Sequence, residues 1–143
     1  MNNPVLSGLD LGRRLKVKGD SLPDWLPRVL AHLDTLPALG ENWDGYGGTA
    51  LRPEAVDAAK SLISDLAAGT TVAAPHVSPM RTGGVLFAWE NGPKQLEVEI
   101  NIPEPSSYLY LNRDTDETQT GTLSPGESVE AALVPLVAKL MTS

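Results

Sequence analysis

The stretch Val85-Leu86-Phe87-Ala88-Trp89-Glu90-Asn91-Gly92-Pro93-Lys94-Gln95-Leu96-Glu97-Val98-Glu99-Ile100 decides the fold. Val85, Phe87 and Trp89 alternate with Leu86, Ala88 and Glu90, a period of two that marks a strand with one clearly apolar face. Asn91-Gly92 is the strongest short-range hairpin signal in the chain, and beyond it Leu96, Val98 and Ile100 alternate with Glu97 and Glu99. The spacing predicts two antiparallel strands with their apolar faces inward. Glu90, Glu97 and Glu99 then share the solvated side.

Toward the C-terminus, the Pro-rich run Ile102-Pro103-Glu104-Pro105 connects to a further strand over Ser107-Tyr108-Leu109-Tyr110-Leu111. The chain turns around Asp114 to Glu117, and Thr118, Thr120 and Thr122 suit a polar edge strand. Ser124-Pro125-Gly126-Glu127 has the form of a helix start, with Pro after the cap and Glu at the third position. The helix that follows buries Val129, Leu133, Leu136, Val137 and Leu140, and Pro135 marks a kink or a late start.

Toward the N-terminus the period becomes 3.6. His76-Val77-Ser78 suits a strand at the opposite edge of the sheet. Before it, Pro53 and Glu54 open a helix with Ala55, Val56, Ala59, Leu62, Ile63 and Leu66 on one stripe, ended by Gly69. An earlier helix is expected to begin near Ser21, where Ser21 and Asp24 have capping-box spacing. It carries Leu22, Trp25, Leu26, Val29, Leu30 and Leu33 on its apolar face. Two N-terminal helices, an antiparallel sheet of about four to five strands and one C-terminal helix make an α+β fold. Residues 1–20 read as an extended arm and 21–143 as a single domain.

The 143 residues, 41% of them hydrophobic, suffice for one ordinary core. With 18 acidic against 11 basic residues the net charge is -7, which disfavours direct binding to nucleic acid or to anionic membrane surfaces. Arg13, Arg14, Lys16 and Lys18 are the local exception, a basic cluster suited to an acidic partner. The chain has no cysteine, so disulfides, thiolate metal sites and thiol nucleophiles are excluded. Met1-Asn2-Asn3-Pro4 lacks the form of a secretory signal, and no apolar run approaches the roughly 20 residues of a membrane span. A cytoplasmic protein is expected.

Gly40-Glu41-Asn42-Trp43-Asp44-Gly45-Tyr46-Gly47-Gly48, between the first two helices, is the candidate site. Trp and Tyr each offer flat apolar surface with one polar atom, and the glycines let backbone approach backbone or ligand closely. Two arrangements fit. Asn42, Trp43, Asp44 and Tyr46 could form a docking surface, with Arg13 and Arg14 as further binding residues. Alternatively Trp43 and Tyr46 fold back as a lid on the core while Asn42 and Asp44 cap turns. A phosphate-binding loop is excluded because its Lys and Ser/Thr are missing.

Other chemistry is sparse. His32 falls on or beside the buried stripe of the first helix, and Ser78 lies too near His76 in sequence to establish a nucleophile–base pair. Two distant histidines give weak support to a zinc site. Glu90, Glu97 and Glu99 could form a carboxylate cluster, though such a row is more commonly the wet side of a sheet. Asp114-Thr115-Asp116-Glu117 is no calcium loop, because Gln119 and Pro125 stand where Gly and Glu are needed. No catalytic residue, metal ligand or cofactor is assigned.

Glu41-Asn42-Trp43-Asp44-Gly45-Tyr46-Gly47, the Pro53-started helix, Pro75-His76-Val77-Ser78-Pro79, Gly83-Gly84 and the strands ending in Trp89-Glu90 and Ile100 occur in a fixed order. In this the chain resembles a group of small uncharacterised bacterial proteins, over roughly residues 39 to 112. The resemblance implies no activity and no functional residue. Where such proteins tend to have Ala after Tyr-Gly, this chain has Gly48, which is expected to loosen the loop. The leading expectation is a non-enzymatic protein-binding module, an accessory subunit, inhibitor or antitoxin-like partner, with basic proteins among its targets. A small-ligand or metal-assisted enzyme built from Asp44, Tyr46, His76 and the three glutamates is the alternative. Self-association through the Thr-rich edge is a third possibility.

Overall fold

In the computed structural model, residues 22–101, 105–123 and 129–142 are described. Helix α1 (Leu26–Thr35) runs into a short 3-10 turn (Leu36–Leu39), and α2 spans Pro53–Gly69. Strands β1 (His76–Pro79), β2 (Val85–Asn91), β3 (Lys94–Ile100), β4 (Ser106–Asn112) and β5 (Glu117–Leu123) follow, and α3 (Val129–Met141) comes last. The five strands form one antiparallel meander in sequence order, so β1 and the Thr-rich β5 are its two edges. The architecture is α+β, as the change of period requires.

The first helix starts later than the Ser21 reading. Ser21 lies outside the described residues, Leu22 is exposed, and Pro23 and Asp24 belong to a turn in which Leu26 N donates to Pro23 O at 3.1 Å. The cause is Pro27. Starting at Leu26 places it in the first turn, where its missing N–H has no intrahelical partner to lose; a start at Ser21 would put it in the helix interior. Pro135 does sit inside α3, which nevertheless continues on both sides of it. The Ser124 to Glu127 start signal and the expected burial of Val129 fall outside what is described.

Helix side chains Leu26, Val29, Leu33, Ile63, Leu66, Leu133, Leu136 and Leu140 meet Phe87, Trp89, Leu96, Val98 and Tyr110 of the sheet in one buried cluster. The Phe87 and Trp89 rings lie 6.0 Å apart at 45°, and the Trp89 indole donates to Ala73 O at 2.8 Å, so its polar atom is satisfied. The salt bridge from Lys60 to Asp34, at 2.7 Å, links α1 and α2.

The β2–β3 register pairs Asn91 with Lys94, which makes Gly92 and Pro93 the two central residues of the turn. The hairpin signal therefore falls one residue later than an Asn-Gly pair in both central positions would put it. On the sheet face opposite the helices, Ala88, Glu97, Leu109 and Thr120 form one cross-strand row and Leu86, Glu99, Ser107 and Thr122 the next. The glutamates do not face one another: Glu90 pairs with Gln95, Glu97 with Ala88 and Glu99 with Leu86. Glu97 and Glu99 are half-buried rather than fully solvated, and Gln95 donates to Glu97 at 2.9 Å.

Candidate functional site

The 40–48 loop is a closed hydrogen-bonded knot. Asn42 takes a left-handed backbone, φ 58°, which asparagine tolerates better than most residues. Its N–H donates to Gly48 O at 2.7 Å, its carbonyl accepts from Gly45 N at 3.1 Å, and its side-chain oxygen accepts from Gly47 N at 2.6 Å. Asp44 gathers the other side. One carboxylate oxygen accepts from the backbone of Tyr46 at 2.8 Å and of Gly48 at 2.9 Å, while the other lies 2.7 Å from Arg81 Nε. The Tyr46 N–H first, and then the Gly48 N–H and the Arg81 guanidinium, hold the Asp44 carboxyl below its ordinary range against an opposing effect of desolvation.

Arg81, in the turn between β1 and β2, donates both to Asp44 and to Tyr46 O. The same turn binds the residues after the loop: Thr49 N donates to Arg81 O at 2.8 Å and Arg52 N to Gly83 O at 2.9 Å. Glu41 closes the base by accepting from Ala50 N at 3.0 Å. The loop is thus fixed to the end of the sheet by backbone bonds and one ion pair.

The two aromatics diverge. Trp43 is half-buried, packs against the core and donates its indole N–H to Thr49 O at 2.9 Å, the lid arrangement. Tyr46 instead is 80% exposed. Asp44 caps its turn in the Asx manner by accepting from the N–H two residues on, whereas Asn42 reaches across the loop to the N–H of Gly47, five residues on. Gly48 does not supply looseness: a Cβ there would stand 2.9 Å from the nearer Asp44 oxygen and 3.0 Å from the Trp43 ring, so its role is to let both approach. Arg13 and Arg14 lie outside the described residues.

Residues of the enzyme alternative do not all line one groove. His76 lines one groove with Arg28 and His32 and another with Glu90; Asp44 and Tyr46 line neither. Glu99 borders a different groove, with Arg52 and Thr82. Among the described residues no three His, Asp or Glu side chains gather in a way that could hold a metal ion, and no helix is long and apolar enough to cross a membrane.

Arg81 was not legible as a site residue, because nothing in sequence ties it to a loop 35 residues before it. Its one available signal is its position just ahead of Gly83-Gly84, a pair that favours a turn. No family model, curated protein or solved structure matches the chain.

Proposed function

We propose that this chain is a non-enzymatic protein-binding module of the bacterial cytoplasm, an accessory subunit, inhibitor or antitoxin-like partner, which docks through Tyr46 on the 40–48 loop. The observation that carries the reading is the contrast within that loop: Tyr46 is 80% exposed while the backbone beneath it is bonded on every side. A tyrosine presented on a fixed loop loses little conformational entropy on binding, and tyrosine is among the residues that anchor interfaces. The carboxylate of Asp44 is engaged by two N–H groups and Arg81, so it acts as scaffold rather than as an acid or base. The net charge of -7 suits a partner with a basic surface, whose association would then weaken as salt rises.

The test is affinity capture from the native host with wild-type protein and the Tyr46→Ala variant, both shown to be folded by thermal unfolding. A specific protein retained by wild type and lost from Tyr46→Ala supports docking through the loop and names the partner. A partner retained equally by both variants sinks it.

A further inference from the structure

Along one edge of α1, Trp25, Arg28 and His32 follow one another at helical spacing, and across from them stands the start of β1 with Pro75, His76 and Val77. The groove between has a volume of about 380 Å³, at the low end of the range usual for small-molecule sites. Both histidines of the chain meet in it, although they are far apart in sequence.

Its charge is the informative property. Elsewhere among the described residues the cations are engaged: Lys60 with Asp34, Arg81 with Asp44, Arg113 with Glu90, Lys139 with Glu117, and Lys94 and Arg52 with backbone carbonyls. Arg28 makes no ion pair or hydrogen bond among them. No carboxylate lines the groove. In a chain of net charge -7, an unengaged guanidinium beside two imidazoles and no acid is a local reversal of sign. Buried Pro75 and half-buried Trp25 and Val77 supply apolar surface next to it.

We infer that this groove binds a small organic anion, a carboxylate or phosphate group carried on a flat apolar body. The planar fork of Arg28 donates two parallel hydrogen bonds to either oxyanion, and the imidazole N–H groups of His32 and His76 add further donors. The indole of Trp25 offers a face for the apolar body. The site is separate from the Tyr46 loop, so the two proposals fail independently.

The experiment is a titration of ¹⁵N-labelled protein with phenyl phosphate, benzoate, inorganic phosphate and neutral benzyl alcohol, following the Trp25 indole and the His32 and His76 ring signals by NMR. Phenyl phosphate or benzoate should move all three, with inorganic phosphate weaker and benzyl alcohol without effect; which anion binds more tightly tells phosphate ligands from carboxylates. Arg28→Gln should weaken binding about tenfold or more, as expected for a lost hydrogen bond to a charged group. Because Arg28 is exposed and unpaired, the variant should keep its fold, which the unchanged remainder of the spectrum verifies, and Tyr46→Ala should bind the anion like wild type. The inference is overturned if neither organic anion moves these signals at millimolar concentration, if benzyl alcohol moves them equally, or if Arg28→Gln binds as wild type does.

Discussion

Arg81 Nε stands 2.7 Å from Asp44 Oδ2, the ion pair that joins the loop between the helices to the turn between the first two strands beside the backbone bonds there. Asp44 in turn holds the amides of Tyr46 and Gly48, so the ion pair supports the backbone beneath the exposed tyrosine. Arg81 itself is largely solvent-exposed, and exposed pairs contribute little to global stability. Its consequence is local. Arg81→Gln should leave the unfolding midpoint nearly unchanged while the Tyr46 and Gly48 amides exchange hydrogen faster than in wild type; equal exchange rates would show that the backbone bonds alone fix the loop.

The same carboxylate gives the loop a pH dependence with a definite sign. Its pKa in the folded chain lies below the ordinary 3.8, through the Tyr46 N–H foremost and then Gly48 and Arg81. A depressed carboxyl contributes stability that is present above the unfolded value and lost as pH falls through the folded one. Loosening of the 40–48 loop should therefore set in below about pH 4 and be absent between pH 5 and 8. Amide shifts of Tyr46 and Gly48 followed through an acid titration check this, and Arg81→Gln should move their midpoint upward.

Trp43 and Tyr46 should answer differently to truncation. Trp43 packs on the core and bonds Thr49 O, so Trp43→Ala is expected to destabilise by roughly 2 kcal/mol, less than a fully buried tryptophan would. Tyr46→Ala removes an exposed ring and should stay within about 0.5 kcal/mol of wild type. Denaturant unfolding of the two variants measures both, and a large loss for Tyr46→Ala would mean that its ring has a structural role.

This divergence also marks where sequence reading stops. The period-two run from Val85 to Ile100 and the stripe from Ala55 to Leu66 were legible because alternation and helical spacing are local properties of the chain. The capping of a turn by Asp44 was legible for the same reason, whereas the bond from Gly47 N to Asn42 spans the whole loop and was not. Which aromatic turns inward was not, because it depends on the position of Thr49 and of the core edge, set by elements far along the chain. α1 starts at Leu26 rather than near Ser21 because the missing N–H of Pro27, tolerated only in a first turn, is a stronger constraint than the Ser21–Asp24 spacing. Arg28, His32 and His76 could not be joined from sequence at all, since their meeting depends on how α1 lies against β1.

Gly48 tests how tightly the loop is packed around the Asp44 carboxylate. An added Cβ would press on the carboxylate that holds two amides and on the Trp43 ring, both already fixed by other contacts. Gly48→Ala should destabilise by about 1 kcal/mol through this overpacking and weaken the Asp44 bond to Gly48 N. A variant as stable as wild type would show that the Asp44 side chain can shift without penalty.

If two copies of the chain associate, β5, an edge strand among the described residues, is where the sheet could continue. Its Thr118, Thr120 and Thr122 are exposed, and β4 is its only partner among the described strands. Pairing of two such edges would form a continuous sheet with two-fold symmetry. Light scattering over a wide concentration range should then show a dimer that Thr120→Pro abolishes, and a strict monomer at the highest concentration would remove the edge from consideration.

At the other end of the sheet, the β2–β3 hairpin caps the last helix. Asn91 Nδ2 donates to Leu140 O at 2.7 Å, and Lys94 Nζ donates to Lys139 O at 2.9 Å and also to Thr142 O, satisfying carbonyls that α3 cannot bond internally. The positive charge of Lys94 also lies at the negative end of the helix dipole. Asn91→Ala should therefore cost about 1 kcal/mol and fray the last turn of α3, seen as faster amide exchange at Leu140 and Met141. Lys94→Met should add to that loss by removing the charge while keeping the apolar stem. If the amides of this turn exchange as in wild type in the double variant, α3 is held by its buried side chains, Leu133, Leu136, Val137 and Leu140, and by the Lys139–Glu117 pair, and the hairpin contacts are incidental to it.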